Sequence, residues 1–169
     1  MINNLNFFLI ALLVAAAVFT AGCDIEVPRV TGYAVVYGIS LYDSVAGEGQ
    51  GLNLTYSNDD ALAVAAMFEE ANYEVLLRTD TQATPENLSS DIEYVSAHIA
   101  PQENFVFYFS GHGVGSTVLL TDEESTEPAG RDSYDEWIFL YGSIDNGTIA
   151  DKNAALSDDD LVTLVDQVP

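Results

Sequence analysis

Apolar and polar positions fall along the chain in a pattern that changes period at regular intervals. "YAVVYGIS" (33–40) is β-branched and aromatic and stops at a glycine, which predicts a buried strand. A polar, glycine-rich stretch, 41–56, follows it. Ser57 with Asp60 three residues on marks a helix start, and Ala61–Glu70 are good helix formers. "YEVLLRT" (73–79) predicts a second strand. Thr84-Pro85-Glu86 opens a second helix, with proline at a position where its missing N–H costs nothing. Leu88, Ile92, Val95 and Ile99 line one face of that helix, and Pro101 ends it. "NFVFYFS" (104–110) is a third strand. Strands alternating with helices predict an α/β fold, a parallel sheet with helices on both faces, because parallel strands need crossover connections.

The pattern then breaks. "STVLLTD" (116–122) and "EWIFLYGS" (136–143) are short strand-like pieces around a polar loop, which predicts a hairpin above the sheet with Trp137 packed in it. Ser157 caps a last helix whose first turn holds Asp158, Asp159 and Asp160, where the helix dipole favours acids. Its apolar stripe is Leu161, Leu164, Val165 and Val168.

Charge changes the picture of the surface. The formal net charge is −23, and the only cations are Arg29, Arg78, Arg131 and Lys152. Such a surface repels nucleic acid and anionic headgroups; it suits basic partners or, equally, solubility at high salt. The first 23 residues carry no charge and contain the apolar run Phe7–Phe19, too short to span a bilayer comfortably. With Ala21 and Gly22 before Cys23 they predict a secretory signal; an uncleaved membrane anchor is the alternative. "TAGC" resembles a lipobox, so Cys23, the only cysteine, is the expected lipidation site, with residues 24–31 as a tether and 32–169 as the domain. This implies an exported protein, anchored by lipid to the envelope membrane and facing away from the cytoplasm.

Candidate chemistry centres on His112. Functional groups in open α/β sheets collect just past the carboxyl ends of the strands. His112 lies two residues beyond the third strand, between Gly111 and Gly113, which would let backbone approach a substrate closely. Position alone leaves two readings, a functional histidine or a half-buried loop histidine. His98 falls on the second helix, facing solvent, with no role expected.

At these residues the chain resembles the caspase-like cysteine peptidases, the group of caspases, metacaspases and bacterial paracaspase-like proteins. "FVFYFSGHG" resembles the family's histidine strand, and 33–40 its first strand. "LTYSNDDA" (54–61) resembles its Asn-Asp turn, "YDEWIFLYGS" (134–143) its Asp-Glu-aromatic segment, and "LSDDDLVTLVDQVP" (156–169) the helix leading to the nucleophile strand. The resemblance runs from Gly32 to Pro169 and implies a three-layer α/β/α sandwich with a mostly parallel sheet, truncated before the nucleophile strand. It implies a cysteine endopeptidase acting on proteins or peptides, with His112 as the catalytic histidine and the Gly113 amide as oxyanion donor. Asp59 and Ser110 match the residues that bind the substrate side chain before the scissile bond, which implies cleavage after Arg or Lys. The nucleophile is expected beyond Pro169, since Cys23 lies ahead of the first strand, and the chain as given is expected to be inactive. The alternative is a lipid-anchored surface protein that keeps the fold as a non-catalytic binding module. No cofactor and no metal site are expected. Seven acids between Asp122 and Glu136 read as a solvated loop. Calcium is the one cation the resemblance suggests there, without EF-hand spacing to support it.

Overall fold

A computed structural model describes residues 29–42, 52–115, 136–145, 148–149 and 154–169. The expected elements at 1–28 and 116–122, Cys23 among them, lie outside the described residues, as do the acids from 122 to 135. Three parallel strands form the main sheet: β1 (Gly32–Gly38), β2 (Tyr73–Thr79) and β3 (Asn104–Ser110), in the order β2-β1-β3. The second and third strands match the sequence expectation residue for residue. The first ends two residues earlier, although Ile39 and Ser40 beyond it are still buried.

Helices cover both faces, as the alternation of β1 dictates. Ala34 and Val36 point to one side and pack with Ala61 and Ala65 of α1 (Ser57–Glu70). Tyr33, Val35 and Tyr37 point to the other and pack with Leu88, Ile92 and Val95 of α2 (Pro85–His98). Side chains of opposite parity on one strand therefore feed two separate apolar layers. Thr84 caps α2 by accepting from the Asn87 N–H, with Pro85 in the first turn. Ile99 already has extended backbone, so the helix stops before Pro101. Ser57 corrects the expectation at α1. It is buried in the first turn, and the cap position is Tyr56, with no side-chain hydrogen bond. The approach of α1 to the sheet explains Gly38, since a Cβ there would overlap Ala61 and the Ser57 carbonyl.

A second, antiparallel sheet orders β4 (Gly113–Gly115), β5 (Glu136–Phe139) and β8 (Ala155–Ser157) as β4-β5-β8. Between its strands lies a small ladder, β6 (Ile144–Asp145) with β7 (Thr148–Ile149). Among the described residues β5 thus pairs with the segment directly after His112 on one side and with β8 on the other. Phe139, Leu140, Ile144 and Ala155 join the apolar layer on the α2 side. Trp137 pairs with Val114 and packs half-buried against that layer. Ser157 caps α3 (Asp158–Val165) by accepting from the Asp160 N–H. Leu164 and Val168 of its stripe touch the core, and the Ser96 hydroxyl on α2 donates to the Gln167 carbonyl.

One polar network is buried where β1, β2 and α2 meet. Arg78 reaches both oxygens of Asp91, at 2.9 and 2.6 Å, and the Tyr37 hydroxyl donates to the same carboxylate at 2.8 Å. Asp91 is only 3% exposed, so its charge depends on these partners. Asp91→Ala leaves a guanidinium and a phenol facing an apolar layer and should cost about 3 kcal/mol, with Arg78 partly hydrated. Tyr37→Phe should cost about 1 kcal/mol. Urea denaturation of the two variants checks this; a loss below about 1 kcal/mol for Asp91→Ala would contradict it.

Candidate active site

The three parallel strands end in one row. Gly38 is in register with Thr79 on one side and Ser110 on the other. The residues that follow, Ile39–Tyr42, Asp80 and Gly111–His112, therefore emerge together at the carboxyl edge. Asp80 binds them into a unit. Its backbone is in the left-handed region (φ 45°), and its carboxylate accepts from the Ser40 and Leu41 N–H groups, both at 2.9 Å, and from the Asn58 side-chain amide. Asn58 N–H also donates to the Ser40 hydroxyl, which fixes the first turn of α1 above β1.

The segment after β1 then runs beside residues 52–54. Leu54 N–H donates to the Ser40 carbonyl, and Tyr42 N–H to the Asn53 side chain. This pairing presents the Leu52 carbonyl to His112, whose Nε2 lies 2.6 Å from that oxygen. A carbonyl only accepts, so Nε2 carries the proton and the neutral ring keeps its lone pair on Nδ1. Among the described residues Nδ1 has no hydrogen-bond partner. The His112 ring packs against that of Tyr42 with centroids 4.8 Å apart.

Gly113 follows on β4. Phe139 N–H donates to the His112 carbonyl, so His112 and Val114 are the residues whose backbone groups face β5. Gly113 occupies the intervening position, and its N–H faces away from β5. Gly113 is exposed. The two glycines have a more specific explanation than access for a substrate. A Cβ at 111 would overlap the Tyr42 hydroxyl and the Phe109 ring, and one at 113 would crowd the Trp137 carbonyl.

His112 and Gly113 are adjacent, and Ser110 joins them through the end of β3, its carbonyl accepting from the Ile39 N–H. Asp59 is exposed in the first turn of α1, beside the anchored Asn58. Among the described residues no hydrogen bond joins Asp59 to Ser110, His112 or Gly113. His98 is exposed at the end of α2, its Nδ1 2.7 Å from the Tyr94 carbonyl and its ring stacked on Tyr94. No cluster of three metal-ligating side chains occurs among the described residues.

This arrangement has the parts for acyl transfer except the nucleophile. A base at Nδ1 could accept a proton from a thiol and return it to a leaving amine, while the Leu52 carbonyl holds the ring. An N–H at Gly113 suits an oxygen that gains charge as the carbonyl is attacked.

Residues 31–165 match the caspase domain (peptidase family C14), and the chain belongs to that family. No curated protein sequence matches it. The fold is shared with the crystal structure of protein GSU0716 from Geobacter sulfurreducens, at a TM-score of 0.59 and 23% identity. The alignment covers 81% of this chain and 45% of that one, so the chain spans less than half of its length.

Burial pushes the Tyr42 phenol well above its ordinary value, with nearby Asp80 adding to the rise and the His112 N–H opposing it. Burial likewise raises Tyr37, reinforced by its hydrogen bond to Asp91. Unfolded tyrosines ionise near pH 10. The stability these neutral phenols contribute is therefore complete below about pH 10 and is lost as pH rises toward their folded values. Chemical denaturation between pH 8 and 11.5 should show a fall that begins near pH 10 and is shallower in Tyr42→Phe. A stability flat across that range would contradict the burial of both hydroxyls.

Proposed function

We propose that the chain carries the histidine and oxyanion donor of a caspase-like cysteine endopeptidase that cleaves after basic residues. The observation that carries this reading is the His112 ring, tied at Nε2 to Leu52 and without a hydrogen-bond partner at Nδ1 among the described residues, next to an outward-facing Gly113 N–H. Cys23 is the only cysteine and precedes β1, so the reading assigns the attacking thiolate to a cysteine beyond Pro169. The thiolate would attack the scissile carbonyl, the oxygen would take its charge against the Gly113 N–H, and the imidazolium would release its proton to the leaving amine.

Charge supports the specificity. Among the described residues the cations are Arg29, held by Glu103, and Arg78, held by Asp91. The carboxyl edge instead offers Asp59 and Asp60, exposed at the start of α1. A carboxylate there would bind a substrate Arg or Lys by charge-assisted hydrogen bonds, with Ser110 beside it.

The test is to express the protein with the residues encoded after Pro169 and assay peptides carrying Arg, Lys or Asp before the scissile bond. Cleavage after Arg and Lys is expected, falling by about 10²–10⁴-fold in His112→Ala. Cleavage after Asp alone would overturn the basic specificity. A downstream sequence without a cysteine, or activity indifferent to His112→Ala, would overturn the peptidase reading and favour the binding module.

The N-terminal 23 residues are proposed to export the protein and attach it by lipid at Cys23. Fatty-acid labelling of cells should mark the wild type and leave Cys23→Ser unmarked and at its unprocessed length; labelling that survives the substitution would rule out the anchor.

A further inference from the structure

Tyr42 occupies a position in the second sheet that backbone normally fills. His112 and Phe139 stand opposite each other at the start of the β4–β5 ladder, and Phe139 N–H donates to the His112 carbonyl at 3.0 Å. The reciprocal bond, from His112 N–H to the Phe139 carbonyl, is replaced by a relay through a side chain. His112 N–H donates to the Tyr42 hydroxyl at 2.8 Å, and that hydroxyl donates to the Phe139 carbonyl at 2.9 Å. One phenol, 4% exposed, thus serves as acceptor and donor in the same rung.

The same residue fixes the ring as well as the backbone of His112. Its ring packs against the imidazole, and its own N–H is bonded to Asn53, next to the Leu52 carbonyl that holds Nε2. The absence of a side chain at Gly111 keeps room for the hydroxyl. The contacts that orient the histidine through its amide and through its Nε2 thus come from Tyr42 and from Leu52, the neighbour of the Asn53 that holds the Tyr42 N–H.

We propose that Tyr42 is a positioning residue for His112: its hydroxyl, inserted between His112 and Phe139, sets the place and orientation of the imidazole. This rests on the assignment of His112 as the proton-handling group, but its test does not use catalysis. Direct contact with substrate is not part of the role, because the hydroxyl is enclosed by the groups it bridges.

The experiment compares the full chain with Tyr42→Phe and Tyr37→Phe. Phenylalanine keeps the ring at either site, and Tyr37 supplies a matched control, a buried hydroxyl in the same apolar layer that bonds Asp91 instead. Two quantities are read at pH 7: amide hydrogen exchange of His112, and the rate at which its imidazole is carbethoxylated by diethyl pyrocarbonate. Tyr42→Phe should speed His112 amide exchange by at least about tenfold, the loss expected from about 1.4 kcal/mol of local hydrogen bonding. It should also change the carbethoxylation rate several-fold, while Tyr37→Phe lowers global stability and leaves both readouts of His112 at wild-type values. Unchanged exchange and reactivity in Tyr42→Phe would overturn the proposal. So would equal changes in both variants, since that would mark a general loosening of the core. A failure of peptide cleavage in the extended protein bears on the peptidase reading alone.

Discussion

The carboxyl edge depends on a constraint of register. Gly38, Thr79 and Ser110 are neighbours across three parallel strands, so the chain leaves the sheet three times at the same height. Main-chain groups released at such an edge need partners, and here a single carboxylate supplies several of them. Asp80 takes the N–H groups of Ser40 and Leu41 and the amide of Asn58. With those satisfied, the segment after β1 can lie against residues 52–54 and present the Leu52 carbonyl to His112. A slip of one residue in β1 would exchange the faces that Ala34 and Val35 feed and would carry this edge with it.

The division of labour between the two sheets follows from this. The parallel sheet, covered on both faces, provides rigidity through apolar burial and the Arg78–Asp91–Tyr37 network. The antiparallel sheet begins immediately after His112, so the histidine is where the two meet. Its carbonyl belongs to the ladder with β5, its amide to Tyr42, and its ring to Leu52. Main chain and ring of this residue are thus held by three different partners, which fixes where the imidazole sits.

Much of this was legible in the sequence, and the exceptions have physical causes. β3 is a continuous run of β-branched and aromatic residues, and β2 has an apolar centre, Val75–Leu77, between a tyrosine and a threonine, so local composition bounds both. Thr84-Pro85 and Ser157 announce their helices because their side chains act locally, within three residues. Ser57 has the same local pattern, yet its side chain is buried against the sheet, a tertiary contact that overrides the cap. β4 was hidden because Gly-Val-Gly has little strand propensity and forms a strand only where β5 pairs with it. Leu52 was beyond any reading of residue types, since every residue carries a carbonyl. Tyr42 sits in a polar, glycine-rich stretch that reads as loop, and its partner lies 97 residues away.

Among the described residues His112 faces a partner only at Nε2, the Leu52 carbonyl, which places the proton of the neutral ring on Nε2 and the lone pair on Nδ1. Long-range ¹H–¹⁵N correlation spectra of the imidazole measure this directly above the pH at which the ring is charged. His112 should show the nitrogen pattern of the Nε2–H form, with Nδ1 at the position of an unprotonated nitrogen. A pattern showing the proton on Nδ1, or the averaged shifts of a ring that exchanges freely between the two tautomers, would contradict it.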